Sequence, residues 1–220
     1  MPITIGNDIV DLNDAAKKDT DPRFLKRVFT SAEQRLIKQS DDPHTVLWAI
    51  WAAKEAVFKA YQKQYPNYRF SPIQCQLTEQ AIIKFLTQPD SRILNDAMCI
   101  NNQLMACQWH AFGWQAIEAI HCTATFHCEP YHALSVHRKI SRNPGKQDYR
   151  QQSESVRREA QQLLQELGFN QSKIDKPIIN LGDYTKPGPP FILANGQKHE
   201  ISLSHDGDYL AITVGLFLTQ

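Results

Sequence analysis

Apolar positions along the chain recur with two different periods, and each period predicts its own kind of element. Leu47, Ile50, Trp51, Val57, Phe58 and Tyr61 keep near-helical spacing with no Gly or Pro between them, so a helix lying against a core is expected over about 44–62. Val156, Ala160, Leu163, Leu164 and Leu167 repeat the 3.6-residue period and Gly168 follows, which predicts a second helix over 153–167. Thr30 with Glu33 reads as a capping box for a helix reaching about Gln39, and Asp21-Pro22 opens a shorter helical stretch carrying Arg23, Lys26 and Arg27. β-Branched and aromatic runs predict strands over 3–12, 70–78, 82–86, 104–114, 117–129, 133–137 and 177–181, and two strands flank the turn His205-Asp206-Gly207-Asp208. The polar stretch 139–153, holding Asn143-Pro144-Gly145, is the expected linker. It divides the chain near residue 142 into 1–142 and 143–220, and each part runs helix first and strands later.

Composition narrows the possibilities without choosing among them. With 42% hydrophobic residues in 220, a real core is expected and disorder is not. A net charge of +1 and an isoelectric point near 7.7 give no overall pull toward nucleic acid or an anionic membrane. Any anion must therefore find a local site. No apolar run reaches the roughly 18 residues of a membrane span, and Met1-Pro2-Ile3-Thr4 lacks the regions of a signal peptide, so a cytoplasmic protein is expected. Five cysteines without a C-x-x-C fit reduced, buried thiols.

Several polar residues ask for a reason. Asp8 sits mid-strand, where a carboxylate is disfavoured, and Gly6 beside it marks a place where something approaches the backbone closely. On the helix, Trp51, Glu55 and Lys59 stack one turn apart, which by itself describes an ordinary i,i+4 surface pair. Ser204 and His205 stand at a strand end, where a hydroxyl, backbone N–H groups and an imidazolium could hold phosphate oxygens; the alternative is a plain hairpin tip. The loop from Gly182 to Phe191, with Lys186-Pro187-Gly188-Pro189-Pro190, is rigid. His121-Cys122 and His127-Cys128 suggest zinc, but strand alternation puts His121, Thr123, Thr125 and His127 on the outer face and the cysteines roughly 20 Å apart. No metal is expected there.

Taken together, Gly6-Asn7-Asp8, Trp51-x-x-Lys54-Glu55-Ala-x-x-Lys59 and Ser204-His205-Asp206-Gly207-x-Tyr209 resemble the 4'-phosphopantetheinyl transferases. The small trimeric acyl carrier protein synthases are similar in motif order but little over half as long. The surfactin-type enzymes are two similar halves, with the Lys-Pro and Ser-His motifs preceding the Asp and Lys-Glu motifs. The resemblance therefore implies an α+β fold of two similar halves in permuted order, each a helix on a small antiparallel sheet, in a pseudo-dimeric chain that works as a monomer.

The resemblance also implies a reaction: transfer of the 4'-phosphopantetheine arm from coenzyme A to a serine of an apo carrier protein, with adenosine 3',5'-bisphosphate released. It implies Mg²⁺ on Asp8 and Glu55, Glu55 as general base, Lys59 on a phosphate or the leaving group, His205 and Ser204 on coenzyme A phosphates, Lys186 near the nucleotide and Arg150 beside them. Surfactin-type enzymes carry a third acid where this chain has Val10, and an apolar residue where it has Asn7. Water is expected in the vacant ligand position, and Asp11 is not counted as a ligand because it faces away. Arg23, Lys26 and Arg27 offer a docking face for an acidic carrier. The alternative reading is a non-catalytic relative that binds coenzyme A or a carrier protein; retention of Asp8, Glu55 and Lys59 together favours chemistry.

Overall fold

Thr4–Asp11 forms β1, a strand buried along almost its whole length. The computed structural model describes residues 3–88, 91–113, 116–126, 134–143, 145, 148–180, 182 and 185–217. Three helices follow: α1 (Pro22–Val28), α2 (Ser31–Gln39) and α3 (Pro43–Gln64), begun by the side-chain caps Asp21, Thr30 and Asp42. The expected Thr30–Glu33 capping box is present. β2 (Cys75–Leu77), α4 (Glu79–Thr87), β3 (Ile93–Ile100), β4 (Gln103–Phe112) and β5 (Ala119–Phe126) complete the first unit, a five-stranded antiparallel sheet in the order β1-β5-β4-β3-β2.

The second sheet is built from β6 (Leu134–Arg142), then α5 (Tyr149–Glu166), β7 (Lys173–Asp175), the small pair β8 (Ile178–Asn180) and β9 (Thr185–Pro187), β10 (Phe191–Ala194), β11 (Gln197–Asp206) and β12 (Tyr209–Phe217). Its order is β6-β12-β11-β10-β7, again antiparallel. Numbered within their own sheets, both sets of strands run first, fifth, fourth, third, second, and each places its long helix directly before its second strand.

Alanines on α3 let it lie unusually close to β1. Ala52, Ala53, Ala56 and Ala60 are fully buried, and a Cβ on Gly6 would overlap the Ala56 carbonyl oxygen and stand 2.6 Å from the Ala60 nitrogen. That is the close approach expected at Gly6. Gly6→Ala is predicted to push the helix off the strand and lower the melting temperature by several degrees, since overpacking costs about 1–3 kcal/mol; an unchanged thermal midpoint would show that the contact has slack.

The two sheets are joined by side chains rather than by a ladder. On the free edge of β1, the N–H of Ile5 donates to Glu200 (3.4 Å), that of Asn7 to the Ser202 hydroxyl (2.8 Å) and that of Asp11 to Asp206 (2.8 Å). Each pair is 195 residues apart, so β11 runs alongside β1 in the same direction. Lys63 adds an ion pair to Glu200 at 2.7 Å, and Asp11 accepts from the Asp208 N–H at 2.9 Å. A Cβ on Gly207 would meet Asp11 Cγ at 2.7 Å, so the hairpin tip seats directly on the end of β1.

Four expectations are corrected. Residues 82–86 are not a strand: Thr78 caps Ala81 (3.1 Å) and starts α4, while only Cys75–Leu77 of the stretch 70–78 is extended. A five-residue run with four apolar side chains around Lys84 fits either period, and the cap decides. A strand absent from the expectations, β3, pairs with β4 across Asn101-Asn102, both at positive φ, a two-residue hairpin turn. The stretch 139–153 is largely structured: β6 runs to Arg142 and pairs with β12, and an Asp148–Gln151 capping box opens α5 at Tyr149. The sheets therefore divide between β5 and β6, ahead of residue 142. Finally, His121 and Thr123 are buried instead of facing solvent, because the second sheet covers that side of β5. His127 and Cys128 lie outside the described residues; Cys75, Cys99, Cys107 and Cys122 are free thiols.

Candidate active site

Asp8 projects from β1 toward α3, on the same side as Gly6, and meets Lys59 Nζ at 2.7 Å. The same ammonium donates to the Asn7 carbonyl oxygen at 3.0 Å. Glu55 lies one turn earlier on α3. Burial pushes its carboxyl up to about 7, the negative charge of Asp8 adds to the rise, and Lys59 opposes it. Asp8 is also raised, by burial first, against the pull of Lys59 and of the Ile9 N–H. Two carboxylates 47 positions apart in sequence therefore share one low-dielectric site, where burial disfavours the charge of both and Asp8 adds to the rise at Glu55.

His205 stands across the joint on β11. Gln152 Oε1 lies 2.9 Å from its Nδ1, while Gln152 Nε2 donates to the Gly207 carbonyl oxygen at 2.9 Å. An amide oxygen accepts only, so the imidazole carries its proton on Nδ1, and among the described residues Nε2 has no hydrogen-bond partner. Burial lowers its pKa, and the charge of Lys59 lowers it further. Asp206, whose carboxyl is pushed up to about 6 by burial and in part by Asp8, belongs to the same neighbourhood. The hairpin is thus electrostatically coupled to Asp8 and Lys59 from the opposite half.

Ser204 faces β1, on the side of β11 opposite His205. In the series Glu200, Ser202, Ser204, Asp206 it alone lacks a donor from β1: its hydroxyl is buried and without a hydrogen-bond partner, while the corresponding Ile9 N–H turns to Asp8. Arg150 points to solvent and pairs with Glu154 at 3.0 Å, and Lys186 lies half-buried on β9. Among the described residues, no ion pair ties either cation to the Asp8–Glu55 cluster.

Lys54, inside the same motif, does something else. It is fully buried and pairs with Glu33 at 2.9 Å, while also donating to the carbonyl oxygens of Pro72 and Cys75. Glu33 at once caps Thr30 N–H (2.8 Å) and accepts the Leu77 N–H (3.0 Å), so the pair fastens α2, α3 and β2 together. Sequence spacing gave no sign of this pairing. Trp51 lies against Phe24 and Phe70 at 6.2 and 6.0 Å between ring centres, forming an aromatic floor one turn before Glu55.

The donor set suits a hard divalent ion. Asp8 and Glu55 could offer two carboxylates, and Mg²⁺ is commonly held by one or two carboxylates with water and substrate oxygens in its other positions; among the described residues no group of three or more His, Cys, Asp or Glu could hold a metal. Val10 is buried in the core, and both oxygens of Asp11 are taken by backbone N–H groups of Asn13 and Asp208. A cation would offset the burial that raises both carboxyls and the charge of Asp8 that adds to the rise at Glu55.

The family model of the 4'-phosphopantetheinyl transferase superfamily matches residues 4–123, more than half of the chain and the stretch holding Asp8, Glu55 and Lys59. The chain belongs to this superfamily. A 61-residue stretch of this chain is 43% identical to the fatty acid synthase alpha subunit hexA of Dothistroma septosporum, covering 28% of this chain and 18% of that protein. A 62-residue stretch is 44% identical to the holo-[acyl-carrier-protein] synthase of Exiguobacterium sp. strain AT1b, covering 27% of this chain and 51% of that protein. The matches thus span about half of the synthase and under a fifth of the fungal subunit.

Since burial raises the Glu55 carboxyl to about 7, a divalent ion bound there would displace its proton, and Mg²⁺ affinity, where the ion binds at this carboxylate, is predicted to rise as pH climbs through 7 with net proton release. Calorimetry in two buffers of different ionisation heat measures this directly; an affinity flat across that range would contradict it.

Proposed function

We propose that this chain transfers the 4'-phosphopantetheine arm of coenzyme A to a serine of an apo carrier protein. The observation carrying the reading is the meeting of Asp8, Glu55 and Lys59 beside a hairpin that brings His205 from the other half. The serine oxygen bonds to the β-phosphorus of coenzyme A, and the bond to the bridging oxygen breaks. Adenosine 3',5'-bisphosphate leaves.

Glu55, directly or through a water, takes the serine proton. Mg²⁺ held by Asp8 and Glu55 would supply neutralisation of the pyrophosphate and of the charge that builds on the leaving oxygen. Lys59, now on Asp8, is placed to turn to a phosphate oxygen as a point charge. His205 is assigned to the phosphates through its free Nε2, with Ser204, Lys186 and Arg150 as the other residues proposed to reach coenzyme A.

The matching strand orders of the two sheets support a pseudo-dimer with its halves permuted relative to surfactin-type enzymes. They support a functional monomer too, since one chain then supplies both walls of the cleft. No helix among the described residues is long and apolar enough to cross a membrane, in keeping with the cytoplasmic setting we propose. For the carrier, α1 is the favoured face. Arg23, Lys26 and Arg27 are exposed on it, and its Phe24 rests on Trp51, one turn from Glu55. An acidic partner helix lying there would bring its serine close to the base.

Titration with coenzyme A tests the reading. Affinity should strengthen clearly when Mg²⁺ is added; equal affinity with and without the ion would remove a shared metal–pyrophosphate site.

A further inference from the structure

We propose that Tyr149 is the stacking platform for the purine base of the nucleotide substrate. This inference rests on the reading of His205 as a phosphate contact. Tyr149 is the most exposed large hydrophobic side chain among the described residues, 78% open to solvent. An aromatic ring so exposed ordinarily gains by being covered. Its backbone is nonetheless held firmly, since it is the first residue of α5 and the Asp148–Gln151 capping box closes immediately around it.

Three residues on, Gln152 lies on the same side of the helix and holds His205. The Tyr149 and His205 rings meet edge to face, 4.9 Å between centres and 64° between planes. An edge-to-face contact occupies at most one face of Tyr149, and with the side chain 78% exposed the other face stays open. Tyr149 touches His205, the charge of Lys59 reaches that imidazole, and Lys59 pairs with Asp8 at 2.7 Å, so the four side chains form a connected series from one half to the other.

A ligand whose phosphates lie at Lys59 and His205 continues past the imidazole, and the next group it meets is the open ring. Arg150 stands beside it as an exposed cation. A phosphorylated nucleoside matches that sequence of charge followed by a flat aromatic surface. Stacking is tolerant of base identity because every base has a π-face, so Tyr149 should add affinity for the base without fixing the chemistry.

The experiment compares wild type, Tyr149→Ala and Tyr149→Trp by calorimetry with adenosine 3',5'-bisphosphate, and separately with inorganic pyrophosphate plus Mg²⁺. The high exposure of Tyr149 means that the substitutions should leave the melting temperature in place. Tyr149→Ala is expected to weaken the nucleotide roughly tenfold, within the range for loss of one base–aromatic stack, and to leave pyrophosphate unchanged, while Tyr149→Trp restores the nucleotide affinity. Wild-type nucleotide affinity in Tyr149→Ala, or an equal loss for pyrophosphate, would overturn the stacking role alone. A raised KM for the carrier protein with nucleotide affinity intact would also overturn it, and would assign the ring to the carrier. If wild type binds neither nucleotide nor coenzyme A, the transferase reading fails and the stacking role falls with it.

Discussion

Glu55→Gln is expected to lose at least a hundredfold in transfer rate while keeping its fold. The substitution preserves volume but removes the charge that would share a cation with Asp8 and accept the serine proton. General-base catalysis alone contributes roughly 10²–10⁴. Stability should move the other way. The Glu55 carboxyl is raised to about 7 chiefly by burial, so its ionised form burdens the folded state above that pH, and a neutral amide relieves Asp8 of a repelling neighbour. A melting temperature at pH 8 equal to or above wild type, together with lost turnover and weakened Mg²⁺ binding, is the expected pattern. A folded variant with normal turnover would remove Glu55 from the chemistry.

Glu33→Ala is expected to produce the largest loss of stability. Removing the partner of a fully buried lysine strands its charge, which costs about 3–5 kcal/mol, and here the Thr30 and Leu77 N–H groups lose their acceptor as well. Against a typical total of about 5–15 kcal/mol, that is enough to bring the protein near unfolding at ambient temperature. Replacing both partners, Glu33→Leu with Lys54→Met, should recover a good part of the loss, because apolar pairs of similar volume often substitute well for buried ion pairs. Urea unfolding of the three variants measures this; a single variant as stable as wild type would show that Lys54 sheds its charge at little cost.

How far residues could be read in advance depended on whether their reasons were local. The capping box of α2, the period of α5 and the Gly6 contact follow from neighbours a few positions away or from the lack of a Cβ, and these features lie where expected. The inner face of α3 was harder: Trp51 and Phe58 stay half-buried while the small residues Ala52, Ala53, Ala56 and Ala60 form the tightest contact. Hydrophobicity ranks the large side chains first; close approach selects the small ones.

Long-range reasons left no local trace. His121 reads as a surface residue of an alternating strand until a second sheet covers it, after which burial pushes its pKa down to about 3 and Asn7 Nδ2 stands 3.3 Å from its Nε2. Glu33 and Lys54 look like a capping acid and a motif lysine, and only the packing of α2 on α3 makes them partners. The candidate site was legible as a set of residue types because charged groups in a strand and on a helix ask for an explanation. The joint that assembles it, with β11 side chains receiving β1 N–H groups, was not.

The most direct measurement is the mass of a carrier protein after incubation with this protein, coenzyme A and Mg²⁺. The account predicts that the apo carrier gains the mass of one phosphopantetheine arm, only when all three are present and not when its acceptor serine is replaced by alanine. A carrier left at its original mass, across fatty acid, polyketide and peptide synthase carriers, by protein that binds coenzyme A normally would contradict it.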